Sequence, residues 1–400
     1  MSWFHSKESS TIYGTIIDIQ SGSIGILIVE SNHTKTLPKI LYSERVPIRF
    51  TEKEPSQKQS LRHMREALFS ASLLLSREGL RALTQHNKKA RIRKILISCA
   101  TPWAYTVAKT VAFSGDNEIR VTRTLIDDLI ASAEEEIESQ TNELVRGDDL
   151  SLSIIERATI DVRINDYAVQ NPIGLKGTSL ALSHITGLLP VQILEAVYEV
   201  QSKILQDTTA RAHTLMLMTF CVLRDLLPKT STATIVHITE ETTEFGVIEN
   251  NTLVACDYVP YGSSTCIREL ALETQKTQAD ILARLQAFSE NKLSQKNQSD
   301  IESHMKKYSD AISDMIKKLS RNGKLSKTLI FTSHTHIPDA FKNELTRIVE
   351  EITNNTTTLL SVDGTLFPEL LESSKPDVYF SIISRFFHKL HGCGEMNVHK

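Results

Sequence analysis

Three short polar clusters interrupt apolar runs in this chain of 400 residues, and they hold most of the side chains suited to chemistry. The first follows Asp18, where Gln20, Ser21, Gly22 and Ser23 separate two apolar segments. The second runs from Thr239 through Glu240, Glu241 and Thr242 to Thr243, with Glu244 just beyond. The third is Ser333, His334, Thr335 and His336, after the apolar run LIFT (329–332). Glu240, Glu241 and Glu244 have the chemistry of general bases, but the sequence sets no nucleophile or electrophile beside them. A solvated acidic turn is the plainer expectation. His334 and His336 have a spacing found in metal sites, yet two ligands without a third hold a metal weakly. A loop that caps the next helix, with Pro338 at its start, is preferred.

The elements that must position these clusters are legible from periodicity. GTIIDIQSGSIGILIV (14–29) and IVHITEETTEFGVI (235–248) each read as strand, polar turn, strand. Gly22 is expected to supply a positive φ in the first turn. Asn250 and Asn251 mark the turn after the second hairpin. Further strands are expected over 40–48, 92–99, 158–164, 179–184, 327–332 and 357–362. Helices are expected over 191–204, 208–226, about 265–288, 339–350 and 377–390. Three more show as apolar stripes beginning at Leu61, Leu125 and Ile301. Strands grouped before helices, twice over, predict an α/β chain of two lobes with a cleft between them.

The bulk numbers fit a globular protein, at 40% hydrophobic and 23% charged residues. A net charge of -3 gives no electrostatic case for nucleic acid. Five cysteines, an odd set without short pairing, suit a reducing compartment. MSWFHSKESS at the start lacks the apolar stretch of a secretory signal. AHTLMLMTFCVL (212–223) is too short to span a bilayer and reads as a core helix.

Taken together, the two hairpins and their order resemble the actin-like ATPase superfamily, and within it the FtsA type, with the PilM type second. DIQSGSIGILIV (18–29) looks like the first phosphate hairpin. The stretch from Ile235 to Ala271 looks like the second, and its distinctive part runs from Thr242 to Ala271, with paired threonines and then VPYGSST (259–265). ATIDVRINDYAVQNPIGLKGTSLALSHIT (158–186) is similar to the FtsA segment that reads Asn-Pro-aliphatic-Gly-Leu-Ser-Gly. The resemblance implies a duplicated ribonuclease-H-like fold with an FtsA-like inserted α+β domain. It places the first lobe at 1–91, completed by 188–230 and 376–395. The insert is expected at 92–187 and the second lobe at 231–375, with a helical subdomain at about 265–325.

The same resemblance places a nucleotide cleft for ATP and magnesium at Asp18, Ser21, Gly22, Ser23, Thr242, Thr243, Gly262, Ser333 and His334. Asp18 would there position a magnesium-bound water, against the plainer reading of a polar strand end. The departures from the family pattern matter. Gln20, Thr239, Glu240, Glu241 and the Ser333–His334 pair stand where the family has glycines, and His237 stands for an acidic residue. Glycine lets backbone N–H groups approach anionic oxygens closely. Each carboxylate instead repels a phosphate charge by about 4 kcal/mol at roughly 4 Å and an effective dielectric near 20. No catalytic residue and no resident metal are therefore expected, and ATP hydrolysis should be weak or absent.

The role implied is a cytoplasmic scaffold of a membrane-associated machine, cell division before any other; the alternatives are a PilM-like pilus-assembly adaptor and an active ATP-binding ATPase of the FtsA type. The scaffold would act through protein partners and self-assembly by the insert, touching membrane only indirectly or peripherally, at the inner face of the cell membrane. VYFSIISRFFHKL (378–390) could be a membrane-lying helix, but it falls where the closing core helix is expected. The FtsA type has its membrane-targeting tail beyond a linker, and the chain ending ten residues later keeps the PilM type in view.

Overall fold

Each hairpin begins a five-stranded sheet, and the two sheets are built on one plan. The computed structural model describes residues 11–50, 56–144, 151–321, 325–334, 337–372 and 376–391. Strands β1 (Thr11–Ile19), β2 (Ser23–Asn32) and β3 (Lys39–Pro47) form an antiparallel meander. Helix α1 (Gln57–Leu74) starts from a capping box at Ser56, which accepts from the Gln59 N–H. It passes through a π turn at Leu75–Gly79 into α2 (Leu80–His86). Strand β4 (Ile92–Cys99) then returns parallel to β1.

A smaller unit follows: β5 (Tyr105–Arg120), α3 (Arg123–Leu144), β6 (Leu152–Ile164), β7 (Tyr167–Ala168) and β8 (Lys176–Pro190). Its strands form a separate sheet in the order β5-β8-β6-β7. The chain goes back to the first sheet through α4 (Val191–Ile204), adds β9 (Thr209–Thr214) beside β4, and enters α5 (Leu215–Leu226). The second sheet repeats the plan with β10 (Ala233–Ile238), β11 (Thr243–Glu249) and β12 (Thr252–Val259). Helices α6 (Ser263–Thr274), α7 (Gln278–Ser289) and α8 (Gln295–Arg321) follow, then β13 (Thr328–Ser333), α9 (Asp339–Thr353) and β14 (Thr358–Ser361). Short α10 (Glu369–Glu372) and then α11 (Val378–His391) close the described chain. The orders β3-β2-β1-β4-β9 and β12-β11-β10-β13-β14 correspond strand for strand.

Several expectations are corrected here. Ile92–Cys99, counted with the insert in the 92–187 boundary, lies in the first sheet, because its apolar run fills the slot beside β1. Residues 209–214 form a strand rather than the start of a helix, since β4 offers them a parallel edge. Strand β5 went unread because its outer half is largely exposed and polar. The helix expected at about 265–288 is two helices, broken where Gln275 adopts φ 53°. Among the described glycines only Gly174 has a positive φ, so Gly22 serves another purpose, described below.

Helices α5 and α11 lie between the two five-stranded sheets. One core joins Ile16 and Leu96 of the first sheet to Ile235 and Ile330 of the second through Phe220, Ile383 and Phe387. The outer faces of the sheets carry separate cores, under α1, α2 and α4 on one side and α6 to α9 on the other. Phe380, Ile382, Phe386 and Phe387 of α11 are buried, so this helix is a core element and not a membrane-lying one.

Two glycines allow the central helices to seat. A Cβ on Gly14 of β1 would fall 2.1 Å from the Phe387 ring, and one on Gly246 of β11 would fall 2.4 Å from Met216 Sδ. Neither gap admits a methyl group without moving a packed side chain. We expect Gly14→Ala to lose about 2 kcal/mol in urea unfolding, the usual cost of an overpacked core. Phe387→Leu in the same background should recover part of that loss. An unchanged midpoint for Gly14→Ala would show that α11 has room to shift.

Candidate functional site

The three polar clusters converge at one point between the two five-stranded sheets. Asp18 and the Gln20–Ser23 turn stand at the end of β1, and Thr239 to Thr243 stand at the end of β10. Ser333 and His334 stand at the end of β13, and Gly262 caps α6. His336 lies outside the described residues. The structure thus brings together every site residue that the sequence singled out within the described chain, though not as an open cleft.

The two turns touch. Ser21 Oγ accepts from the Glu241 N–H at 2.9 Å and donates to Thr239 Oγ1 at 2.8 Å. Thr242 Oγ1 lies 3.0 Å from Thr101 Oγ1, again across the two sheets. A Cβ on Gly22 would fall 2.4 Å from Glu240 Cβ, so its missing side chain is what allows the turns to meet. Gly262 is held just as closely, with its Cβ position 2.6 Å from the Glu240 carbonyl oxygen.

The helix terminus that could receive an anion is already occupied from within. The Ser263 N–H donates to the Thr239 carbonyl and the Ser264 N–H to the Glu240 carbonyl. Glu241 lies at the start of α6, where it accepts from Thr265 Oγ1 at 2.8 Å and from both Arg268 terminal nitrogens at 2.6 Å. A bidentate pair of this kind neutralises the carboxylate, and a negative charge at a helix start is favourable. The sequence expectation of a solvated acidic turn is therefore corrected. Glu240 is 6% exposed because the turn is pressed against the first hairpin, and Glu244, inside the sheet on β11, is 4% exposed.

Beside this contact lies a second buried network. Arg45 donates to Asp18 Oδ2 at 3.0 Å and to Asp377 Oδ2 at 2.9 Å, with its guanidinium 4.4 Å over the Phe380 ring. Gln20 donates from Nε2 to Asp18 at 2.8 Å, and its carboxamide oxygen lies 2.8 Å from His334 Nε2. That oxygen only accepts, so His334 carries a proton on Nε2. Trp103 donates its indole N–H to the Gln20 carbonyl.

Burial raises the Asp18 carboxyl above its ordinary range, and Arg45 offsets this only in part. Asp377 is also buried, yet Arg45 and His334 hold its carboxyl below the ordinary value. Arg45 is driven the other way. Its burial opposes the charge, and the two carboxylates more than restore it. Asp18 is thus engaged at Oδ2 by Arg45 and Gln20, while its Oδ1 is buried without a hydrogen-bond partner among the described residues.

Arg45, Trp103, Thr101, Arg268 and Asp377 belong to this site and went unread in the sequence. Each lies far along the chain from the group it serves, so no local pattern marks it. Asp377 alone gives a signal, as the side chain that accepts from the Phe380 N–H at the start of α11.

His237 and Glu244 face one another in the β10–β11 register, both buried. Burial pushes His237 down to about 3 and Glu244 up to about 8. Between the ordinary value of 4.5 and about 8, the unfolded chain releases the Glu244 proton while the folded chain keeps it. Folding stability from this group is therefore full below 4.5 and falls as pH rises through that window, by about 1.4 kcal/mol per pH unit. Glu244→Gln should flatten the fall. Its melting temperature should exceed that of the wild type by a margin that widens from pH 5 to pH 8. A constant margin would mean that Glu244 is ionised in the fold.

Comparison with solved structures identifies the architecture. The chain is similar to a structure of the PilM–PilN type IV pilus biogenesis complex, with a TM-score of 0.52 and 9% identity, covering 94% of this chain and 97% of that one. A protein of Bacteroides thetaiotaomicron with the actin-like ATPase fold matches at a TM-score of 0.45 and 8% identity, over 96% and 99% of the two chains. The ethanolamine utilization protein EutJ of Carboxydothermus hydrogenoformans matches at 0.44 and 10%, over 94% and 89%. No family model and no curated protein matches the sequence. The chain has the actin-like ATPase fold.

Proposed function

We propose that this actin-fold chain is a protein-binding scaffold of a membrane-associated machine, in which ATP hydrolysis is weak or absent. The observation that carries the reading is the direct contact of the two turns, Ser21 against Thr239 and Glu241, with Gly22 against Glu240. A polyphosphate between the hairpins would have to separate them and displace Glu241 from Arg268. If ATP and magnesium enter, Asp18, Ser21 to Ser23, Thr242 and Thr243 are the groups that would meet them. The actin-like fold is compatible with that.

Two versions of the scaffold remain distinct. The FtsA-like version, in cell division, is supported by NPIGLKG (171–177) in the sequence. The PilM-like version is supported by the likeness to the PilM–PilN structure over nearly the whole of both chains. In the latter, a partner segment would enter the groove of about 510 Å³ between the small sheet, at Lys109, Asp161, Arg163 and Ser183, and the β11–β12 turn at Glu249 and Asn250. Among the described residues, no helix is long and apolar enough to cross a membrane. The proposed domain division keeps the expected lobes but gives β4 to the first. The insert then runs from after Cys99 to Gly187.

Calorimetry with MgATP tests the closed cleft, and no saturable heat is expected. Binding at low micromolar strength, weakened by Asp18→Asn, would restore an ATPase. Self-assembly through the insert is tested at its tip, where Tyr167 and Ile173 are 79% and 60% exposed. Sedimentation velocity should show concentration-dependent assembly that the Tyr167→Asp, Ile173→Asp pair abolishes. A wild-type chain that stays monomeric would remove self-assembly from the proposal.

A further inference from the structure

Helices α1 and α4 pack side by side on the outer face of the first sheet. Their inward stripes are Met64, Ala67, Leu68 and Ala71 on α1 and Ile193, Ala196, Val197 and Val200 on α4. Burial of these stripes accounts for the helices themselves. It does not account for Phe69 and Leu73, which are 56% and 52% exposed and one turn apart on the same side of α1.

Phe69 overhangs a small cavity of about 60 Å³ between the helices, floored by Leu68, Ala196, Val200 and Ile204. An outer groove shares Phe69, Arg65 and Glu199 with that cavity and extends along α1 to Leu61 and Lys58. The floor is apolar and the rim is basic. Lys58, Arg62, Arg65 and Lys203 stand against only Glu66 and Glu199, an excess of two cations. The whole chain, in contrast, has a formal charge of -3. The α-helical ladder also changes after Leu74, where the π turn Leu75–Gly79 begins, a distortion often kept at working surfaces.

We propose that the α1–α4 groove receives an acidic amphipathic helix of a partner protein. An apolar side chain of the partner enters beside Phe69, and flanking carboxylates meet Lys58, Arg62 and Arg65. Charge complementarity selects the acidic partner, and the cavity between the helices is a place for one of its side chains. Phe69 and Leu73 also protrude, so a lipid surface is the competing occupant that the vesicle arm of the test addresses. The groove contains no residue of the small sheet and none of the turns, so the proposal stands apart from the fate of ATP and from the role of the insert.

The test uses the full chain and a fluorescein-labelled amphipathic peptide with leucines at i, i+3, i+4 and i+7 and glutamates elsewhere. A control peptide carries lysine at every glutamate position. The acidic peptide should bind saturably and the basic one should not. Phe69→Glu and Arg65→Glu, both at exposed positions, should each weaken binding by about tenfold or more while leaving circular dichroism and melting temperature unchanged. Absence of saturation up to about 1 mM acidic peptide would overturn the proposal. So would equal binding of the two peptides, or binding that the two substitutions leave unchanged. Co-sedimentation with phosphatidylglycerol vesicles, lost in the same variants and without peptide binding, would reassign the face to a lipid surface and overturn it as well.

Discussion

The close approach of two polar turns, out of reach of water, is the constraint on which the arrangement of this chain depends. Buried N–H groups, hydroxyls and carboxylates must find partners inside the protein, because leaving one unmade costs about 1–3 kcal/mol, and more if it is charged. Ser21, Thr239, Thr242 and Thr101 satisfy one another across the gap. That mutual satisfaction requires Gly22, since any Cβ there would strike Glu240. It also fixes how the two five-stranded sheets face each other, and so where α5 and α11 must lie between them.

The charged groups nearby follow from the same exclusion of water. A buried carboxylate without a cation is costly, and removing one partner of a buried pair typically loses about 3–5 kcal/mol. Asp18 and Asp377 share Arg45, and Glu241 is held by Arg268. Each cation comes from an element distant in sequence, so the pairs tie strands and helices together as well as balancing charge. Arg268 also lies 5.7 Å from the Phe50 ring, which carries the second half of the chain onto the first.

An actin-like fold uses the gap between its hairpins in one of two ways. If backbone N–H groups and a helix start point outward, an anionic ligand completes them. If the chain completes them itself, no outside anion is needed to satisfy them. Here the Ser263 and Ser264 N–H groups end on backbone carbonyls and Glu241 is paired with Arg268. Apart from that gap, the molecule presents the small sheet with its exposed tip, the groove beside β12, and the basic groove between α1 and α4.

The fold class and the convergence of the candidate residues were legible in the sequence. Period-2 apolar runs around polar turns specify buried hairpins locally, and two such hairpins in order specify a duplication. The missing glycines also showed in the sequence, at Gln20, Glu240 and Glu241. What those residues do instead was decided only by the tertiary structure. Glu241 reads as a solvated carboxylate until Arg268 is brought beside it, and Gly22 reads as a turn glycine until Glu240 is placed against it. Strands β4 and β9 likewise took their places from a neighbouring edge, and 209–214 has too little pattern of its own to resist a helical reading. Periodicity records which face of an element is buried. It carries no information about which distant group will meet that face, because pairing across the chain is set by packing and by the need to satisfy polar groups once water is gone.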